Sequence, residues 1–312
     1  MKKIRKKIKS ILPDRCIYLY KLFTMIPAYV RAEIKNFKTK YTQLSFYSDE
    51  ETVNKIICER KSLSRFGDGE FMWMSGEKLQ SFQECSDELA LRLRQSFQCD
   101  DVNLLIGIPY GLYNSTQCNC IAKMHWKIIK ADFLKRLLPF VDNSRIYCNA
   151  SITRPYIDYK SRKYSEKAFE NLKRIWEGRN IVFVEGANTK LGMGNDLFDN
   201  AKAIRRIVCP SQNAFSKIDE IEKAIEKYVN KEELILTALG PTASILATDM
   251  CKKGYQIVDI GHVDIEYIWY QKKSILREQV EGKHVNESGQ KECSDFYGNN
   301  DAYLKSILVK IS

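Results

Sequence analysis

Short runs of β-branched and apolar residues, spaced by segments of helix length, constrain this chain more than any other feature. Asn103–Pro109 (NLLIGIP) reads as a buried strand followed by a turn. Asn180–Glu185 (NIVFVE), Leu234–Leu239 (LILTAL) and Tyr255–Ile260 (YQIVDI) read as strands, with Arg145–Asn149 and Ala203–Val208 as weaker ones. Between them, Asp87–Gln98, Ala122–Leu138, Ser165–Gly178, Ile218–Val229 and Thr242–Lys253 have helical character. Strands separated by helix-length crossovers predict an α/β fold, a mostly parallel sheet with helices on both faces. Ligands of such sheets bind beyond the carboxyl ends of the strands. No linker divides the stretch after about residue 43. The expectation is therefore one domain over 43–312, with a tail from about 272, preceded by an extension over 1–42.

The charge is concentrated in that extension. Residues 1–40 carry twelve Lys and Arg against Asp14 and Glu33, out of a formal net charge of +11 for all 312 residues. Ile4, Ile8, Ile11 and Leu12 recur at helical spacing among lysines. Pro13 then interrupts, and Cys16–Val30 is mostly apolar around Lys21, with Pro27 near its end. Fifteen residues with a central Lys are too short to span a bilayer and make a poor secretion signal. A basic, aromatic-rich amphipathic segment suits an anionic membrane surface, where each Lys or Arg adds about 1 kcal/mol. The alternative is a basic helix packed on the body or on a partner. The body adds almost no further positive charge, so no nucleic-acid partner is expected. The ten cysteines are scattered, which predicts reduced, buried thiols. Cys118-x-Cys120 lacks the second pair that a zinc site needs. The expected location is cytoplasmic, at the inner face of the membrane.

Four segments carry chemistry. In Arg65-Phe66-Gly67-Asp68-Gly69-Glu70, two carboxylates sit one residue apart among glycines, and Arg65 offers a planar fork to phosphate. Two carboxylates completed by phosphate oxygens suit Mn²⁺ or Mg²⁺; a solvated acidic turn is the plainer alternative. In Glu185–Phe198 (EGANTKLGMGNDLF), a glycine-rich turn follows the strongest strand and leads toward a helix, with Lys190 as a mobile charge. Gly192, Gly194, Asn195 and Asp196 are the further candidates for holding a nucleotide phosphate there. The spacing matches neither a dinucleotide fingerprint nor a Walker loop. Gly240-Pro241-Thr242 ends a strand and opens a helix, either holding a phosphate or merely capping. His262, Asp264 and Glu266 crowd past the last strong strand and are candidates for a general base or a second metal contact; an acid-rich first turn of a helix is the plainer alternative. His125 and His284 have no such company and read as surface or packing residues.

In this order the segments resemble the GT-D fold family of bacterial nucleotide-sugar-dependent glycosyltransferases. The resemblance rests on RFGDGE at 65–70, GIP at 107–109, EGANTKLGMGNDLF at 185–198, CPSQNAF at 209–215, ALGPTA at 238–243 and DIGHVDIEY at 259–267. It implies a Rossmann-like domain, a D-x-E metal motif at Asp68 and Glu70 with Mn²⁺ or Mg²⁺, and a donor that is most often UDP-linked. It further implies a nucleotide-binding role for 185–196, where the family's common Arg is replaced by Lys190. A glycan, lipid-linked or glycoprotein acceptor would follow. The alternatives are another nucleotide-dependent transferase of surface-polysaccharide synthesis and a non-catalytic membrane-surface module.

Overall fold

The computed structural model describes residues 13–37, 43–77, 82–285 and 300–312. The helical spacing read over Ile4–Leu12 and the lysines around it lie outside the described residues, as does Cys293.

The core is one nine-stranded sheet in the order β1-β4-β3-β2-β8-β7-β5-β6-β9, parallel throughout. The strands are β1 (Ser45–Phe46), β2 (Ser62–Arg65), β3 (Leu104–Ile108), β4 (Ile146–Asn149), β5 (Asn180–Gly186), β6 (Ala203–Cys209), β7 (Leu234–Ala238), β8 (Gln256–Asp259) and β9 (Ile307–Lys310). The six predicted strands are β3 to β8, and the five predicted helices form within a few residues of their expected bounds. Most of the central strands are buried on both faces, as the apolar runs require.

Three further strands lie outside these six, although β9 has an apolar run of its own, Ile307-Leu308-Val309. β2 reads Ser-Leu-Ser-Arg, yet lies between β3 and β8 near the middle of the sheet. Its serines are buried and satisfied: Ser64 Oγ donates to Ser244 O at 2.8 Å, and Ser244 Oγ donates to Arg65 O at 2.6 Å. Small hydroxyl residues on both sides let the buried helix Pro241–Lys252 lie close against this strand. β9 comes from the C-terminal segment and pairs with β6, so the last described residues belong to the sheet.

The basic segment also forms structure. Asp14–Phe37 is one helix with Pro27 inside it. It lies along the helix Cys120–Leu137, where Ile17 and Ala32 are buried, and Lys35 pairs with Asp132 at 2.6 Å. The cysteines divide: Cys99, Cys118, Cys148, Cys209 and Cys251 are buried, whereas Cys16, Cys58, Cys85 and Cys120 are exposed. No disulfide joins any of the nine among the described residues. The expectation of buried thiols is thus corrected for four of them.

Candidate active site at the carboxyl ends of the strands

A cleft of about 540 Å³ opens beyond the carboxyl ends of the strands, lined by Arg65 of β2, Pro109 after β3, Ala150 after β4, Gly186 of β5, Pro210 after β6, Ala238 of β7 and Asp259 of β8. This is the position that a parallel sheet offers to a ligand.

The acidic turn lies at its edge. Phe66 and Phe71 flank the turn and are fully buried. Both pack edge-on against Phe97, with ring centroids 5.0 and 5.2 Å away, and Phe71 also meets Phe133. Burying such rings contributes roughly 1.5–3 kcal/mol each, enough to fix the four residues between them. Asp68 opens the short helix Asp68–Met74 and is exposed in the cleft. Glu70 accepts from Gly67 N–H at 2.7 Å. Burial pushes the Glu70 carboxyl up to about 7, reinforced by the negative charges of Asp68 and Asp259.

Arg65 is a clamp as well as a cation. Its Nε donates to Asp259 O at 2.8 Å, Nη1 to Ala150 O at 2.9 Å and Nη2 to Asp259 Oδ1 at 2.8 Å. One guanidinium thereby ties the ends of β8 and β4 to β2, using three of its five N–H groups. Gly261 makes this possible. Its φ is +45°, and a Cβ there would stand 2.0 Å from Arg65 Nη2.

The second motif behaves differently. The chain from Ala187 to Lys202 is a series of turns, not the expected entry into a helix. Glu185 is fully buried; it pairs with Arg206 and accepts from Leu191 N–H at 2.6 Å. Arg206 Nη2 donates to Leu191 O at 2.9 Å. Asp264, 1% exposed, accepts from Gly192 N–H at 2.9 Å and Asn195 Nδ2 at 2.8 Å, and pairs with the buried Lys283. Asp196 accepts from Tyr267 Oη and Gln271 Nε2. Asn188, Thr189 and Leu191 line the cleft, but Lys190, Gly192, Gly194, Asn195 and Asp196 do not. The expectation of a mobile charge at Lys190 is corrected: the residue is 4% exposed, with φ +49°.

The family description "Glycosyltransferase GT-D fold" matches residues 63–288. The chain belongs to this family. Glycosyltransferase GlyD of Streptococcus pneumoniae serotype 4 is 35% identical over 266 residues, 84% of this chain and 32% of the relative. The probable glycosyl transferase Gly of Streptococcus gordonii is 33% identical over 273 residues, 86% of this chain and 39% of the relative. The chain therefore spans between 32% and 39% of the length of these two relatives. A solved structure described as a new glycosyltransferase (DUF1792) from Streptococcus sanguinis superposes with a TM-score of 0.80 at 32% identity, covering 86% of this chain and all of that one. Another, described as the highly conserved domain of unknown function 1792 with a distinct glycosyltransferase fold, gives 0.80 at 34%, covering 92% of this chain and all of that one.

In this GT-D chain the remaining predicted residues separate as follows. His262 and Gly240 line the cleft. Gly240 has φ +57°, and a Cβ on it would strike the Phe82 ring at 2.5 Å. Thr242 is fully buried and does not line the cleft; its hydroxyl has no hydrogen-bond partner among the described residues. Glu266 is fully buried beneath the cleft. It accepts from Tyr156 and Ile157 N–H at 3.2 and 2.9 Å and stands 3.5 Å from Arg154 Nε. Its carboxyl supports the wall rather than facing the cleft.

Sequence reasoning missed Arg154, Asp158 and Arg277. All three line the cleft, and Arg277 Nη2 lies 2.8 Å from both Asp158 oxygens. His125 and His284, expected at the surface or in packing, line it too, His125 from an exposed position. None of these residues stands in a glycine-rich or acidic motif. Their one signal is their place after predicted strands or in the neighbouring helix.

The GT-D residues Asp68 and Glu70 suit a hard divalent cation. Both are oxygen donors, and Glu70, raised first by burial and then by the charges of Asp68 and Asp259, is a carboxyl whose ionised form a cation would stabilise. Among the described residues no cluster of three or more His, Cys, Asp or Glu is placed to hold a metal alone. An ion here would take its other oxygens from substrate and water.

Proposed function

We propose that this chain transfers a sugar from a nucleotide-sugar donor, UDP-linked, to a hydroxyl of a cell-surface glycan, lipid-linked or glycoprotein acceptor. The supporting observation is the Asp68-Gly69-Glu70 turn, wedged by two buried phenylalanines at the edge of a central cleft in a GT-D chain. Mn²⁺ or Mg²⁺ held by Asp68 and Glu70 would supply neutralisation of the diphosphate charge that grows as the glycosidic bond breaks. Arg65, with two N–H groups uncommitted to the strand ends, and Arg154 supply fixed positive charge to the same cleft. The turns at 186–191 present Gly186, Asn188 and Thr189 to the donor. Asp264 and Glu266 are occupied by Lys283 and by backbone donors. Among the three acid–base candidates this leaves His262, which lines the cleft, as the group to accept the acceptor's proton.

The test is thermal shift with UDP and Mn²⁺ together, followed by UDP release from a panel of UDP-sugars. Wild type should shift and Asp68→Asn should not, while both remain folded. An equal shift in both proteins would overturn the assignment of the acidic turn.

Peripheral attachment to an anionic membrane is part of this reading. No helix among the described residues is long and apolar enough to cross a membrane. On Asp14–Phe37, however, Leu19, Phe23, Ile26, Val30, Ile34 and Phe37 are all exposed. At 100° per residue they share an arc of about 80°. That stripe faces away from the helix it packs on, and the twelve basic residues of 1–40 complement anionic headgroups. The full chain should sediment with phosphatidylglycerol vesicles and not with phosphatidylcholine vesicles, and the double variant Phe23→Glu, Ile34→Glu should lose binding. Equal sedimentation of the variant would count against the stripe.

A further inference from the structure

A second cavity, of about 360 Å³, adjoins the cleft and shares Trp126, Ser151, Arg154 and Asp158 with it. Nothing in the proposed donor chemistry uses it. Its wall combines aromatic rings with polar side chains. Tyr159 and Tyr164 stack with centroids 4.6 Å apart, and Phe46 meets Tyr110 edge-on at 5.0 Å. Trp126 lies so close to Gly111 that a Cβ there would stand 2.4 Å from the indole. The ring is thus held by backbone at the boundary between the two cavities.

Of the three carboxylates on the wall, Glu51 is held by Ser48 and Asp158 by Arg277, and Asp49 lies against the Tyr159–Tyr164 stack. Asp49 accepts from Asn149 Nδ2 at 3.1 Å and from Tyr164 Oη at 2.9 Å. Both donors are neutral, and no ion pair of Asp49 occurs among the described residues. A largely desolvated carboxylate held by two neutral donors has acceptor capacity left for further O–H groups. An anionic ligand would be repelled there. An apolar ligand would strand the carboxylate. A neutral pyranose meets both demands: its C–H faces pack on rings, and its hydroxyls donate to carboxylate and amide oxygens.

We infer that this cavity is the acceptor subsite, binding a neutral sugar ring between the Tyr159–Tyr164 stack and Trp126 with hydroxyls on Asp49 and Asn149. The inference rests on the glycosyl-transfer reading and adds the chemical class of the acceptor and its place. Arg154 and Asp158, common to both cavities, mark where donor and acceptor meet.

The experiment is saturation-transfer NMR on the full chain with methyl glycosides of glucose, galactose and N-acetylglucosamine, with and without UDP and Mn²⁺. Two variants are compared. Asp49→Asn keeps the shape and removes the charge, and Gln117→Trp fills the cavity from its exposed rim. At least one glycoside should give signal on wild type, weakened about tenfold by Asp49→Asn and lost in Gln117→Trp, with the UDP–Mn²⁺ thermal shift unchanged in both. No signal on wild type under either condition, or full signal in both variants, overturns the subsite. The thermal shift on the same samples reports the donor site separately, so a failure there is told apart from a failure here.

Discussion

The acidic turn at 67–70 and the glycine-rich stretch at 185–198 look equally chemical in sequence and are built in opposite ways. In the longer stretch nearly every polar group has a partner inside the protein. Glu185 holds Arg206, Asp264 holds Gly192, Asn195 and Lys283, and Asp196 holds Tyr267 and Gln271. In the turn, Asp68 is exposed, and no cation among the described residues offsets the burial of the Glu70 carboxyl. The difference teaches that satisfied polar motifs make walls, and under-compensated ones make sites.

Variants can break or sharpen that contrast. The largest effect should come from Lys283→Met, which leaves Asp264 buried and unpaired beneath the glycine-rich loop. Removing one member of a buried pair costs about 3–5 kcal/mol, read by urea denaturation. A loss under about 1 kcal/mol would mean that the loop does not depend on this pair.

Gly261→Ala comes next. Positive φ and displacement of Arg65 from Asp259 and Ala150 should together cost about 2–3 kcal/mol and weaken the UDP–Mn²⁺ thermal shift. An unchanged shift would separate the clamp from ligand binding.

Glu70→Gln should do the reverse and stabilise the ligand-free protein. The folded carboxyl titrates at about 7 against an ordinary 4.5, so the unfolded chain releases its proton first. Stability supplied by the protonated form is complete below about pH 4.5 and falls as pH rises to about 7. The variant should therefore gain about 2 kcal/mol at pH 8 and almost nothing at pH 4, while losing the metal-dependent shift. A gain that is independent of pH would show that burial of this carboxyl is not the cause.

The smallest effect on stability belongs to Asp68→Asn. It should stay within about 0.5 kcal/mol of wild type in denaturation, because the side chain is exposed. Its activity should nevertheless fall to background in the UDP-release assay.

The sequence on its own determined the sheet's class, because β3, β5, β7 and β8 are built around apolar runs that a doubly covered parallel sheet hides. It also determined the location of the acidic turn, since Gly67 and Gly69 between two phenylalanines mark a sharp bend wherever the rings are buried. It did not show β2, whose buried serines read as polar until their hydroxyls meet the carbonyl of Ser244 in the helix Pro241–Lys252 and that of Tyr255 beside β8. Nor did it place β9: Ile307-Leu308-Val309 is an apolar run, but nothing local assigns it to the edge of β6.

Only tertiary structure sorted the charged residues by role. Asp264, Glu266 and Lys190 differ from Asp68 in burial and partners, and those are set by residues tens to a hundred positions away, such as Lys283 for Asp264 and Ile157 for Glu266. Arg154, Asp158 and Arg277 reach the cleft through loops with no motif of their own. Local pattern records which surfaces must leave water, and that is enough to draw the sheet. Whether a charge finds its counter-charge is a property of contacts between distant segments, and no local pattern contains it.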